Sequence, residues 1–233
     1  MNINTIQNNL FYGIVSRKEV EYILNNEKEN VLKKILLISI INPSNDRTLL
    51  EEAKKELNSK EDTYEIPIQM MNGKIKKILG SKKELEKFIE NLELKIELNR
   101  KDPNKIEDYN SFPITKNLLE KVFDNITVEF WDIEEKIANY QPISEKEAKK
   151  IAKFIKKYKD KIGKDLQVLI HCSAGISRSA GTGMAVKCIV EHDGDKYDFS
   201  MFPCGITQMR RYSPNLVVMD KIIEEYNKLK RNK

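Results

Sequence analysis

Histidine and cysteine are scarce in this chain, at two and three of 233 residues. His171 and His192 lie apart in sequence and assemble no ligand cluster, so neither a metal centre nor a cofactor is expected. An odd number of cysteines argues against a disulfide framework and fits a reducing compartment. Long apolar runs are missing as well. The longest, Ile35 to Ile41 with one serine inside it, falls far short of the ~20 residues that cross a bilayer, so no membrane span is expected. Met1-Asn2-Ile3-Asn4-Thr5 has neither the basic n-region nor the apolar h-region of a secretory signal, and the expected location is the cytoplasm. Arginine-rich tracts and basic runs interleaved with aromatics are also absent. The 41 Lys and Arg are spread among 36 Asp and Glu for a net charge of +5. That balance disfavours a nucleic-acid partner and is compatible with an anionic substrate.

What is present is an alternation of helical and strand patterns. At 40% hydrophobic over 233 residues, the chain can bury a substantial core, and its length suits one domain carrying an insertion. Ser16 to Asn25 places Val20, Ile23 and Leu24 on one helical face, with Ser16 and Glu19 spaced as a capping box. Ile35 to Ile41, apolar and β-branched, reads as a strand buried on both faces and stopped by Asn42-Pro43-Ser44-Asn45. From 46 to 112 charge runs dominate, with amphipathic helical stretches at Leu49 to Leu57 and Glu84 to Leu94 and a loop from Asn99 to Pro113. This segment reads as an insertion or subdomain whose lysine and glutamate runs are solvated helix faces.

Beyond it, Ile126, Val128 and Phe130 alternate in a strand that ends at Trp131-Asp132. Ser144 and Glu147 open a helix through Tyr158, Leu166 to Ile170 is a short strand, and Ser179 to Val190 is an apolar helix. The order implies an α/β fold, a central mostly parallel sheet flanked by helices, with its site at the carboxyl end of a central strand.

That site is the stretch His171-Cys172-Ser173-Ala174-Gly175-Ile176-Ser177-Arg178-Ser179. A strand ending in cysteine and a helix beginning near Arg178 leave five residues to curl so that their backbone N–H groups point at one anion. Ser173, Ala174 and Gly175 are small enough for close approach, and Gly175 can take the positive φ of a tight curl. Ala174, Ile176 and Ser177 complete the cradle. A helix N-terminus and a guanidinium both favour a thiolate, the reactive form of cysteine. Arg178 offers planar, bidentate donors to two oxygens of a phosphoryl group, which a lysine would do less well.

The residues VLIHCSAGISRSAGTGMA, 168 to 185, resemble the His-Cys-x5-Arg-Ser/Thr signature of the protein-tyrosine and dual-specificity phosphatase superfamily, most of all its compact bacterial, phage and archaeal members. The resemblance covers roughly Ile126 to Leu229 and implies a dual-specificity-phosphatase-like fold; the chain reads as one phosphatase domain over 1–233 with its catalytic core at 119–233. The resemblance implies that Cys172 is the nucleophile that becomes phosphocysteine, that Arg178 binds phosphate, that Ser179 assists thiolate departure, and that His171 orients the loop. It further implies a general acid on a separate upstream loop, to protonate the leaving group and later activate water. Asp132 is the candidate, with Glu134, Glu135 and Asp124 as alternatives. A helix N-cap is the other reading of Asp132, and the family's Trp-Pro-Asp wording is absent. Arg211-Tyr212-Ser213-Pro214-Asn215 resembles the Pro-Asn segment in which the asparagine braces the phosphate loop; a turn and N-cap before Leu216 is the alternative. Cys188 reads as a small core residue, and Cys204 lies in a loop of undetermined relation to the site.

The expected activity is hydrolysis of phosphate monoesters in phosphorylated protein or peptide substrates, phosphotyrosine first, with phosphoserine and phosphothreonine also open. A phosphoinositide or RNA 5′-phosphatase of the same chemistry is the alternative, as is a catalytically inactive phosphate-binding module. Ser173, Ala174, Ile176 and Ser177 carry no charge, which weighs against the lipid.

Overall fold

A computed structural model describes residues 10–43, 45–59, 63–69, 75–101, 113–135, 142–195 and 213–231. The chain divides into two compact units, Met1–Asn42 with Pro113–Lys233, and Pro43–Phe112.

The first unit is built on four parallel strands in the order β1-β6-β2-β5. They are β1 (Phe11–Ser16), β2 (Ile35–Ile41), β5 (Asp124–Glu129) and β6 (Gln167–Cys172). Every residue of β2 is buried, as expected of a run apolar but for Ser39 in a parallel sheet covered on both faces. Its side chains alternate between two cores. Leu36, Ile38 and Ile40 join Val168 and Ile170 in the larger one, under α6 (Glu145–Tyr158), α7 (Arg178–His192) and α8 (Leu216–Arg231). Ile35 and Leu37 join Leu169 and Val15 in the other, against Val20, Ile23 and Leu24 of α1 (Arg17–Asn26), Leu32 of α2 (Glu29–Leu32) and Leu118 of α5 (Lys116–Leu119). Each such fully buried Leu or Ile contributes roughly 1.5–3 kcal/mol relative to exposure.

The helix starts follow the sequence signals. Ser16 accepts from Glu19 N while the Glu19 carboxylate accepts from Ser16 N, a complete capping box for α1. Ser144 accepts from Glu147 N at the head of α6. Helix α7 is buried on nearly all sides, which its small residues permit. A Cβ on Gly181 would lie 2.3 Å from the Asn215 carbonyl oxygen, so glycine lets the segment before α8 press against α7.

The second unit contains α3 (Asn45–Leu57), an antiparallel hairpin of β3 (Tyr64–Gln69) and β4 (Ile75–Gly80), and α4 (Lys82–Lys101). Ala53, Tyr64, Ile66, Leu85 and Ile89 form its own core. The hairpin is an addition to the purely helical sequence reading of this segment, as is β1 to that of the first unit. Among the described residues no helix is long and apolar enough to cross a membrane.

Candidate active site

Strand β6 runs between β1 and β2 and ends on Cys172, so the loop Ser173–Ser177 emerges at the carboxyl edge of the sheet, where open α/β sheets bind ligands. The loop is set against the β1–α1 junction. Gly175 has φ +72°, and a Cβ there would stand 2.4 Å from the Val15 carbonyl carbon and 2.5 Å from Ser16 N. Both conformation and space therefore demand glycine. Arg17 N donates to Ser173 O (3.2 Å), tying the loop's first turn to the start of α1.

Cys172 is buried at the base of the loop, with Sγ 3.2 Å from Ser179 Oγ in the first turn of α7. Arg178, also buried, donates through Nη1 to Phe130 O (2.8 Å) and through Nη2 to Ser173 Oγ (2.8 Å). Its Nε is buried with no hydrogen-bond partner among the described residues. A buried cationic N–H without an acceptor is costly, and an anion in the curl would supply one. Ala174 and Ile176 are exposed at the mouth of the loop.

Asp132, three residues past the end of β5, is exposed and reaches this loop. Its Oδ1 accepts from Ser177 Oγ (2.7 Å) and from Asn215 Nδ2 (3.2 Å). No helix starts at Asp132 among the described residues, so it is no N-cap there. Glu134 and Glu135 are exposed on the same segment. Asp124 lies elsewhere: it pairs in register with Leu36, itself in register with Val168, at the amino end of the sheet remote from Cys172. Burial works against its charge, but hydrogen bonds from Tyr158 and Lys157 hold its carboxyl below the usual range. This is a structural pairing and removes Asp124 as an alternative acid.

Asn215 is buried and serves three segments. Its Oδ1 accepts from Val218 N (3.1 Å) at the head of α8, its N–H donates to Ser177 O (3.3 Å), and its amide reaches Asp132. Ser213 N donates to Ile176 O (3.1 Å), so the Ser213–Asn215 segment follows the outer side of the loop. The N-cap reading of Asn215 corresponds to its side-chain oxygen on Val218 N, whereas its contact with the loop is made by its backbone N–H and its Nδ2 goes to Asp132.

His171 is fully buried, next in register to Val15 on one side and Ser39 on the other. Burial pushes its pKa down to about 3, and the Arg17 and Arg178 charges act in the same direction. It is a neutral imidazole held beneath the loop.

Cys188 lies near the far end of α7, buried, its thiol donating to Asp195 O (3.4 Å) and pushed up to about 11 by burial and the Asp195 charge. Cys204, Arg211 and Tyr212 lie outside the described residues. His192 is exposed at the end of α7, and among the described residues no group of three or more His, Cys, Asp or Glu side chains comes together as metal ligands.

Three features escaped the sequence: the Phe130 carbonyl that holds Arg178, the β1–α1 junction under Gly175, and the Ser177 hydroxyl on Asp132. The first two are backbone groups, which carry no side-chain signal. The third is a contact between segments 45 residues apart.

A family model described as protein-tyrosine phosphatase matches residues 75–224, a span that contains Cys172, Arg178, Asp132 and Asn215. No curated protein and no solved structure matches the chain.

Proposed function

This chain belongs to the protein-tyrosine phosphatase family, and we propose that it hydrolyses phosphotyrosine in proteins, with phosphoserine and phosphothreonine as further substrates of the same site, through a phosphocysteine intermediate on Cys172. The observation that carries this reading is the buried pair of Cys172 Sγ at the base of the loop and Arg178, whose Nε has no hydrogen-bond partner among the described residues. In this reading 46–112 is an insertion in a single phosphatase domain over 1–233, with its catalytic core at 119–233. A catalytic thiol fits the reducing cytoplasm.

The substrate phosphoryl group sits in the curl of Ser173 to Ser177, its equatorial oxygens bound by backbone N–H groups and the Arg178 guanidinium. The Cys172 thiolate attacks phosphorus. As the S–P bond forms, the P–O bond to the leaving group breaks, its electron pair passes to the leaving oxygen, and protonated Asp132 supplies the proton. In the second step water attacks the same phosphorus while the Asp132 carboxylate takes a proton from it. The S–P bond breaks, inorganic phosphate forms, and Ser179 Oγ, 3.2 Å from the sulfur, hydrogen-bonds the returning thiolate. Asn215 braces the outer side of the loop and His171 supports it from below.

The reading is tested with p-nitrophenyl phosphate and with phosphotyrosine, phosphoserine and phosphothreonine peptides, using the wild type, Cys172→Ser and Asp132→Asn. Cys172→Ser should abolish turnover, and Asp132→Asn should cost on the order of 10²-fold on poor leaving groups and much less on p-nitrophenol. Turnover retained by Cys172→Ser would overturn the mechanism. Activity confined to inositol phospholipid or to RNA 5′ ends would overturn the substrate class. Phosphate binding without any turnover would make the protein a binding module.

A further inference from the structure

Ser177 stands at the N-cap of α7, yet its side chain makes no capping hydrogen bond. A serine there ordinarily accepts from a backbone N–H one turn into the helix. Its hydroxyl donates instead to Asp132 Oδ1 (2.7 Å). Asn215 does the opposite with its acceptor: Oδ1 caps α8 at Val218 N, and Nδ2 is left to reach the same Asp132 oxygen (3.2 Å). The two donors are joined to each other through Asn215 N–H on Ser177 O (3.3 Å). Two linked groups thus converge on one oxygen of an exposed carboxylate.

We propose that Ser177 and Asn215 are positioning residues for the general acid, fixing Asp132 Oδ1 as the permanent acceptor so that the transferable proton is carried on Oδ2. This rests on Asp132 being the acid. A protonated carboxyl has one O–H and one bare oxygen, and two donors on Oδ1 require Oδ1 to be the bare one. As the P–O bond to the leaving group breaks, the Oδ2–H proton passes to the leaving oxygen. The negative charge left on the carboxylate is shared with Oδ1, where two donors already point. In the return step Oδ2 takes the proton from water. The role differs from that of the loop's backbone N–H groups, which bind phosphate whatever the residue-177 side chain. It also explains why α7 starts on a serine whose hydroxyl is turned away from its own helix.

The test is the dependence of kcat on the leaving group in Ser177→Ala, Ser177→Thr and Asn215→Ser, each alone and with Asp132→Asn. Asn215→Ser keeps an oxygen to cap α8 and removes the amide donor. Ser177→Ala and Asn215→Ser should each lose roughly tenfold on phosphates of poor leaving groups, the worth of one hydrogen bond to a charged group, and clearly less on p-nitrophenyl phosphate. Vanadate inhibition should persist, Ser177→Thr should restore most of the loss, and neither variant should lose more once Asp132 is Asn. Equal losses on good and poor leaving groups, or the same factor lost with and without Asp132→Asn, would overturn the proposal while leaving Asp132 as the acid. If Asp132→Asn itself showed no leaving-group dependence, Asp132 would not be the acid and both readings would fall.

Discussion

His171 is neutral in the folded protein because burial pushes its pKa down to about 3. The unfolded chain takes up that proton near pH 6.5. Between those values the unfolded state binds more protons, so stability rises with pH: it is fully present above 6.5 and lost as pH falls toward about 3. The slope from this one group is about 1.4 kcal/mol per pH unit. Urea midpoints across that window should therefore flatten in His171→Gln, and an unchanged slope would show that the imidazole is not buried neutral. Arg178 is the other residue whose chemistry is specific. Its fork serves Phe130 O and Ser173 Oγ, and among the described residues Nε has no acceptor. Lysine, a point charge with no fork, should lower kcat/KM by ~10²-fold or more, the cost of losing a preorganised transition-state donor. A smaller effect in Arg178→Lys would mean that charge alone suffices.

At the scale of the elements, the close approach of α7 to the start of α8 is what brings Asn215 to the loop. Gly181→Ala puts a Cβ 2.3 Å from the Asn215 carbonyl oxygen, a backbone atom that cannot swing aside. Overpacking of this kind costs about 1–3 kcal/mol, and the melting temperature should fall together with activity on poor leaving groups. A variant with wild-type activity would show that Asn215 need not be held there. The elements around the loop were legible in sequence because their signals are local. The largely apolar β2, the alternation before Trp131, the capping serines of α1 and α6 and the apolar run of α7 each follow from a single stretch of residues. Strand β1 was not legible, since Phe11 to Ser16 is short and contains Gly13, and only pairing with β6 makes it a strand. In the β3–β4 hairpin, Pro67 lies within one strand and Lys76 and Lys77 lie in the other, so the texture reads as a charged segment until both strands are paired. Cys172 and Arg178 stand out by type and spacing, and Asp132 only as the general acid that the resemblance implies. The arrangement of Ser177, Asn215 and Asp132 does not stand out, because three separate segments meet there.

Over the whole molecule, two units carry separate cores, one of them around Ala53, Ile66 and Leu85 in Pro43–Phe112. Heat unfolding should depart from a single two-state transition, with the calorimetric enthalpy above the van't Hoff value. Vanadate at a hundred times its Kd should stabilise the unit that holds the loop by about 2.7 kcal/mol and leave the other transition in place. One transition that moves as a whole would show that the units unfold together. Every step of the proposed chemistry depends on a phosphoryl group passing onto one sulfur. The direct measurement is rapid acid quench of the wild-type enzyme during turnover of p-nitrophenyl phosphate, followed by mass spectrometry of its peptides. One added phosphoryl group is expected on the peptide bearing Cys172, and none in Cys172→Ser. A phosphoryl group on any other residue, or turnover with no adduct in a quench fast enough to precede hydrolysis, would rule out a phosphocysteine intermediate at Cys172.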